Sequence, residues 1–244
     1  MKSILFIISI QIGFVHFAKS QINDSSHYGG DNLNELLQYA KTLEFVNVSR
    51  MSKSDILLIL SQCSNLKTLV IDDYIENDNS NNQVSEVKTD INFLIIENSD
   101  LRNIPKWVFA CSKLQYLSLS NNRITHLDSN FHRLSKLEKL DLSYNRIRNT
   151  SSIQILNNIN GLTELDLNGS KRLKLESGLE GIEILNLSNR KLRCNQVNRI
   201  IEFFPSLTTI CLTNEKYFGD LEKLGVKIDC PKALNFIDSY YLDK

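Results

Sequence analysis

Apolar and polar residues alternate in a pattern that occurs twice in succession between Leu114 and Ile147. Each copy has leucines at its first, fourth and sixth positions and an asparagine at its ninth, and the second copy begins 23 positions after the first. These residues are Leu114, Leu117, Leu119 and Asn122, then Leu137, Leu140, Leu142 and Asn145. The alternation predicts a strand with one buried face. The helix-like spacing of the apolar residues that follow the first copy predicts a segment that covers the back of a sheet. These are Leu127, Phe131 and Leu134.

The pattern LxxLxLxxN resembles the leucine-rich repeat. The resemblance implies an α/β solenoid with a curved parallel β-sheet on its concave face and an irregular or helical convex side. A single unit cannot bury both of its faces, so neighbouring units must stack to form a core. The template predicts about eight repeats, which begin at Leu43, Leu66, Ile91, Leu114, Leu137, Leu162, Ile182 and Leu207.

The repeats are expected to occupy residues 43–215, between an N-terminal cap at 21–42 and a C-terminal cap and tail at 216–244. Residues 1–20 resemble a secretory signal peptide, because Lys2 precedes an apolar run and small residues precede Gln21. The alternative is an uncleaved anchor, but Gln11 and His16 interrupt the run, which is shorter than the roughly 20 residues that a membrane span needs. We therefore expect a secreted, extracellular protein without a membrane span.

Asparagine occupies the ninth position of a repeat only at Asn122 and Asn145, which predicts that the outer repeats are less regular. The other repeats have Met51, Tyr74, Ser99, Ser170, Arg190 and Glu215 at this position. Asp31 is expected to cap a short helix before the first repeat. The polar segment 75–90 is expected to form a loop, and Trp107 is expected to pack on the convex side.

Composition and motifs favour a binding protein over an enzyme. The formal net charge is zero and 42% of the residues are apolar, which does not suggest a nucleic-acid-binding or disordered chain. The four histidines have no metal-ligand spacing, and no phosphate-binding glycine loop occurs. Asp141 and Asp166 are expected to lie on an open sheet without a pocket to perturb them. We expect no cofactor and no metal.

Strand alternation assigns a set of outward side chains to the concave face, and we predict that this set binds a protein partner. An apolar patch around Val70, Phe93, Ile95 and Tyr116 lies beside an acidic patch of Asp141, Glu164 and Asp166, a combination expected at protein contacts. The alternative is that strand propensity alone places apolar residues there. The predicted partner-binding residues are Val70, Asp72, Phe93, Ile95, Glu97, Tyr116, Lys139, Asp141, Glu164 and Asp166.

A basic residue recurs just after the ninth position in five repeats, and stacking would place these residues along one rim. The rim is Arg123, Arg146, Lys171, Lys191 and Lys216. It is a candidate site for an anionic partner. The alternative is that these charges simply face water.

Glycosylation motifs occur at Asn23, Asn47, Asn149, Asn168 and Asn186. Among five cysteines, Cys63 and Cys111 are expected to be buried core residues. A Cys211–Cys230 disulfide is predicted, with Cys194–Cys230 as the alternative. The segment after the last strand resembles the C-terminal cap of secreted arthropod leucine-rich repeat proteins, although Gly219 stands where that family has a cysteine.

Similar secreted arthropod proteins act in immune recognition or as salivary or venom effectors against a host. The resemblance therefore implies a non-catalytic recognition module whose partner is a host or immune protein. The alternative is an extracellular matrix or adhesive protein that binds polyanions through the basic rim. Nucleic acid is not an expected partner, and the sequence does not predict the oligomeric state.

Overall fold

The computed structural model describes residues 6–11, 14–19, 32–76, 89–148, 150–170, 173–174, 177–188, 199–200, 202–212 and 225–228. Within these residues, eight parallel strands form one sheet, and each strand begins two residues after a predicted repeat start. The strands are β3 (Phe45–Ser49), β4 (Thr68–Asp72), β5 (Phe93–Glu97), β6 (Tyr116–Ser118), β7 (Lys139–Asp141), β8 (Glu164–Asp166), β9 (Ile184–Asn186) and β10 (Thr209–Cys211). The predicted α/β solenoid fold is confirmed.

Two further elements extend the sheet at its ends. The short strand β11 (Lys227–Ile228) pairs in parallel with β10. At the other end, β1 (Phe6–Gln11) and β2 (Phe14–Lys19) form an antiparallel hairpin, and β1 pairs in parallel with β3. This hairpin lies in the predicted signal peptide. Cleavage before Gln21, which stays a prediction, would remove the hairpin and leave β3 as the first strand.

The convex side changes from α-helical to 3-10 helical along the chain. Helix α1 (Asn32–Gln38) precedes the first repeat, and α2 (Lys53–Gln62) begins with a capping box formed by Ser52 and Asp55. Later repeats use the 3-10 helices Lys106–Ala110, Ser129–Arg133, Thr150–Ser152 and Gln154–Asn158. A short helix is therefore present before the first repeat as predicted, with Leu36 and Ala40 buried against the core, whereas Asp31, its predicted capping residue, lies outside the described residues.

The core consists of leucine and isoleucine ladders from the inward face of the sheet, closed by aromatic residues from the convex segments. The side chains of Phe109 and Phe131 pack edge to face with ring centroids 5.5 Å apart. Trp107 is buried as expected, and its Nε1 donates to the hydroxyl of Tyr74 at 3.4 Å. Cys63 and Cys111 are free and buried, and desolvation raises the pKa of each thiol to about 11. They are therefore inert packing residues.

The ninth-position residues join neighbouring repeats through hydrogen bonds. The carboxamide oxygen of Asn122 accepts from the backbone N–H groups of Ser99 and Leu101, and its nitrogen donates to the carbonyls of Ile96 and Leu119. The carboxamide oxygen of Asn145 accepts from the Ile124 N–H, and its nitrogen donates to the carbonyls of Leu119 and Leu142. The predicted loop at 75–90 lies largely outside the described residues, at 77–88.

Candidate protein-binding surface

The strand register gathers all ten predicted partner-binding residues on one face of the sheet. Phe93, Tyr116, Lys139 and Glu164 are successive register partners across four strands. A second row runs parallel to the first, because strands β4 to β8 stay in register. It comprises Val70, Ile95, Ser118, Asp141 and Asp166. Asp72 and Glu97 pair in a third row. We call this set of three rows the concave face.

The apolar patch is less exposed than the sequence suggests. Ile95 and Tyr116 are only 6% and 4% exposed, whereas Val70 and Phe93 are half-buried. Strands in a sheet lie about 4.8 Å apart, so a large side chain is covered by its neighbours on both sides. The rings of Phe93 and Tyr116 lie 6.4 Å apart and cover each other in this way. The expectation of four exposed apolar side chains is therefore wrong for Ile95 and Tyr116.

An ion pair neutralises one member of the acidic patch. Lys139 Nζ lies 2.6 Å from Glu164 Oε1, and the two side chains are only 20% and 13% exposed. The two residues face each other on adjacent strands, so the register itself sets up this contact. The remaining members of the acidic patch are Asp141 and Asp166.

Asp141 and Asp166 are register partners on β7 and β8. Desolvation by burial raises the pKa of both carboxyl groups, and for Asp166 the charge of Asp141 adds to this effect, so that its pKa is about 7. Hydrogen bonds act in the opposite direction. Asp141 Oδ1 accepts from the Ser143 N–H, and Asp166 accepts from the Asn168 N–H and from Asn186 Nδ2, each at 2.7 Å. The two carboxylates lie on the sheet and do not line the described cleft, but burial by neighbouring side chains still perturbs them.

Sequence analysis missed the role of Ser118, which connects the acidic residues to the aromatic part of the face. Its hydroxyl is fully buried and donates to Glu97 Oε1 at 2.8 Å. Burial first, and then the charges of Asp141 and Glu97, raise the pKa of the neighbouring Tyr116. A small hydroxyl residue in the second row, between Ile95 and Asp141, was the only available signal.

A further row of side chains, also missed, lies just beyond the carboxyl ends of the strands. Arg50, Asp73, Asn98, Asn121 and Tyr144 each stand seven positions after a repeat start, with φ between 51° and 55°. Asn and Asp are enriched at such left-handed positions, so three of the five carried a recognisable signal. Asn98 Nδ2 donates to Asp72 Oδ1 at 2.6 Å, which links this row to the concave face.

Tyr144 is the aromatic member of this row, and its side chain is 52% exposed. A Cβ atom at Gly169, the next member of the row, would lie 2.7 Å from the Tyr144 ring. Gly169 also has φ +72°, a backbone conformation that favours glycine. Its lack of a side chain therefore permits both this conformation and the position of the Tyr144 ring. Asn168 Nδ2 donates to the Tyr144 hydroxyl at 3.4 Å.

The basic rim is only partly described. Arg123 Nε lies 2.6 Å from Asp100 Oδ1, so its charge is compensated, whereas Arg146 is exposed and forms no ion pair with a described residue. Lys171, Lys191 and Lys216 lie outside the described residues. The two described residues of the rim therefore present less net positive charge than the sequence suggests.

The predicted modification sites are also divided. Asn47 and Asn186 are half-buried within strands, and Asn168 is half-buried in a turn, whereas Asn23 and Asn149 lie outside the described residues. Cys211 is disulfide-bonded. Cys194 and Cys230 lie outside the described residues, so the pairing of Cys211 with Cys230 stays a prediction.

Three features of the described part of the chain bear on catalysis and on membranes. Among these residues, no helix is long and apolar enough to cross a bilayer, and no group of three His, Cys, Asp or Glu side chains is arranged to hold a metal ion. A cleft between the fifth and sixth repeats is lined by Leu156, Leu162, Leu179 and Glu180 among others, and neither Asp141 nor Asp166 lines it.

Comparison with known proteins connects this geometry to a family. Residues 91–147 match the leucine rich repeat family. No curated protein matches the chain in sequence. A leucine-rich repeat protein of Leptospira interrogans is 21% identical with a TM-score of 0.52, and the match covers 81% of this chain and 57% of that one. Internalin C2 of Listeria monocytogenes is 17% identical with a TM-score of 0.53, and the match covers 79% of this chain and 84% of that one.

At these identities, the similarity to solved structures concerns the fold alone, and this chain spans little more than half of the Leptospira protein. The family match covers the two most regular repeats and the one before them. Solenoids of this kind present extended concave surfaces for binding. The chain therefore contains leucine-rich repeats over residues 91–147 and has the solenoid fold of leucine-rich repeat proteins, a fold that suggests a protein-binding module.

Proposed function

We propose that this protein is a secreted, non-catalytic recognition module that binds a protein partner through the concave face. The observation that carries the proposal is the register, which brings the half-buried Val70 and Phe93 next to the charged Asp72 and Glu97 on one continuous surface. Apolar contact area supplies most of the affinity at such surfaces, and charges supply orientation and rate.

The biological setting that we propose is immune recognition, or the action of a salivary or venom effector on a host. Support for this setting comes from the signal-peptide pattern at residues 1–20 and from the resemblance to secreted arthropod repeat proteins. Secretion has its own test. The full chain is expressed in a eukaryotic secretory host, and the N-terminus of the protein in the medium is sequenced; we expect it to begin at Gln21.

Partner binding is tested by affinity capture with the secreted protein and with the variant Val70→Ser, Phe93→Ala. These two side chains are half-buried, so their replacement disturbs the concave face more than the core. A matched control, Tyr39→Ala with Leu58→Ala, removes two exposed apolar side chains away from the concave face. We expect the control to retain a partner that the concave variant loses.

Equal capture of that partner by both variants would contradict the proposal. The origin of the captured protein then decides between a self-immune and a host-directed role. Circular dichroism on each variant establishes that a loss of binding does not reflect a loss of folding.

The alternative is a matrix or adhesive protein that binds polyanions through the basic rim, and the exposed Arg146 is the observation in its favour. The Arg123–Asp100 ion pair weighs against it. Rim binding to heparin should disappear between low and high salt, since exposed charges are screened within about 10 Å at 0.1 M salt. Binding through Val70 and Phe93 should persist at high salt.

A further inference from the structure

Strand β3 is the first strand of the repeat sheet, and one of its edges pairs only with the N-terminal hairpin. On one side, β4 pairs with β3 over five residues. On the other side lies β1, with Ser9 opposite Asn47 and Ile10 opposite Val48. Among the described residues, no other segment pairs with this edge. Cleavage before Gln21 would therefore remove the strand that covers it.

The hydrogen bonds of β3 show which of its backbone groups face this edge. The Glu44 carbonyl accepts from the Thr68 N–H at 3.0 Å. The Arg50 N–H donates to the Asp72 carbonyl, also at 3.0 Å, so the even-numbered positions face β4. Successive residues of a strand direct their backbone groups to opposite sides. The N–H and C=O groups of Asn47, and those of the other odd-numbered residues of β3, therefore face the edge that β1 occupies.

The edge lacks the features that protect sheets from the addition of a further strand. Natural edge strands are very short, or they carry charged residues, proline or a bulge. Strand β3 has the sequence FVNVS, with no charged residue and no proline, and it stays in register with β4 over all five residues. Strands β6 to β10 have only three residues each. A long, uncharged edge of this kind is a template for another strand.

The sequence of β3 is complementary to itself about Asn47. In an antiparallel pair centred on this residue, Asn47 lies opposite Asn47 of the second copy, and Val46 lies opposite Val48 of the second copy. Both valines are fully buried on the inward face, and their backbone groups face β4. They would form non-hydrogen-bonded pairs, in which opposing side chains lie closest, with Cα atoms about 4.5 Å apart. Such a pair satisfies the edge groups of both copies and continues the apolar core from one copy to the other.

We propose that removal of the hairpin exposes the edge of β3 and that a second copy of the chain occupies it, with the two β3 strands antiparallel about a two-fold axis at Asn47. This inference rests on the secretion that is part of the proposed function, because cleavage exposes the edge. The dimer continues the sheet across the axis and places the two concave faces side by side. A partner that carries two copies of its binding site would be held at both, with a gain in avidity.

The first test measures the mass of the secreted protein by light scattering over a range of concentrations. Asn47→Pro removes an N–H that faces the edge and leaves the hydrogen bonds between β3 and β4 in place, which is where edge strands tolerate proline. The matched control is Asn47→Ser, which keeps the N–H. Both variants lack the glycosylation motif at Asn47, whose glycan would stand at the contact. We expect the mass of two chains for Asn47→Ser and of one chain for Asn47→Pro, and circular dichroism reports whether each variant is folded.

The second test places charges at the two-fold axis and leaves the backbone N–H in place. In the proposed dimer, Asn47→Asp sets two carboxylates opposite each other, and Asn47→Lys sets two ammonium groups opposite each other. Like charges directly opposite destabilise a strand pair, and opposite charges stabilise it. We expect each variant alone to have the mass of one chain and their equimolar mixture to have the mass of two. Restoration by mixing is specific to a contact in which residue 47 of one copy meets residue 47 of the other.

Three outcomes would overturn the proposal. They are the mass of one chain for Asn47→Ser at every concentration, equal masses for the serine and proline variants, and no restoration when the aspartate and lysine variants are mixed. These outcomes differ from a failure of the proposed function. An N-terminus other than Gln21 would contradict secretion. A monomer that begins at Gln21, and still binds a partner through Val70 and Phe93, would contradict the dimer alone.

Discussion

Asn122 in the fourth repeat and Ser170 in the sixth occupy the same position of the repeat and are similarly buried, but they contribute very differently. Asn122 is 5% exposed, and its carboxamide lies within hydrogen-bond distance of five backbone groups, three of which belong to the preceding repeat. Ser170 is 2% exposed, and its hydroxyl has no hydrogen-bond partner among the described residues. Burial alone therefore does not define the role of this position.

The difference is one of length and of hydrogen-bonding capacity. The asparagine side chain is one carbon longer than that of serine, and its carboxamide offers two donors and two acceptor lone pairs. It can therefore satisfy backbone groups on two repeats at once. Ser99, in the third repeat, is intermediate: its hydroxyl accepts from the Tyr74 N–H at 2.8 Å and donates to the Glu97 carbonyl at 2.6 Å. The stack should accordingly be most strongly joined in its centre.

The largest effect is expected for Asn122→Ala. The substitution leaves the buried N–H groups of Ser99 and Leu101 without their acceptor, and each such loss costs about 1–3 kcal/mol. We expect the free energy of unfolding to fall by about 3 kcal/mol, measured by urea denaturation. Asn103→Ala is the matched control, because Asn103 is exposed and its side chain forms no hydrogen bond with the described residues. A loss no larger than that of the control would show that the hydrogen bonds of Asn122 do not stabilise the stack.

A smaller loss is expected for Asn145→Ala. Its carboxamide oxygen accepts from one backbone N–H group, that of Ile124, where Asn122 accepts from two. With one orphaned donor in place of two, we expect a loss of about 2 kcal/mol in the same denaturation experiment. If Asn145→Ala proves more destabilising than Asn122→Ala, the number of backbone donors left without an acceptor does not determine the loss of stability at these positions.

The fold was largely predictable from the sequence, because the spacing of apolar residues in each repeat is local and recurs along the chain. All eight predicted starts precede a strand by two residues. The degenerate repeats followed the same rule, since an apolar residue at the start position needs only to fill the core. Leu162 and Ile182 are both buried although their repeats lack the asparagine.

The site was predictable only as a set of residues that share one face. Whether a side chain on that face is exposed depends on neighbours about one repeat away in sequence, as the mutual cover of Phe93 and Tyr116 shows. The raised pKa of Asp166 depends on Asp141, 25 positions earlier, and on burial that the alternation of apolar and polar residues does not encode. Composition indicated the charges but not which of them are paired.

An intermediate loss of stability is expected for Ser99→Ala. The alanine leaves the buried Tyr74 N–H without its acceptor, while the Glu97 carbonyl still accepts from the Asp73 N–H at 3.2 Å. We expect a loss of about 1–1.5 kcal/mol in the free energy of unfolding. Hydrogen exchange offers a local readout: the Tyr74 amide should lose protection in the variant. Unchanged protection at Tyr74 would show that the serine hydroxyl is not the acceptor that holds this turn.

The smallest effect, and the sharpest contrast with Asn122, is expected for Ser170→Ala. Because the hydroxyl has no partner among the described residues, its removal leaves no described backbone group unsatisfied and takes one buried polar atom out of an apolar environment. We expect the free energy of unfolding to change by less than about 0.5 kcal/mol, with a gain as the favoured sign. A loss of more than about 1 kcal/mol would mean that the hydroxyl holds a water molecule or a neighbouring segment in place, because only a hydrogen bond lost on substitution has that cost. Stability at this position would then depend on a partner of Ser170 and not on the packing of its repeat.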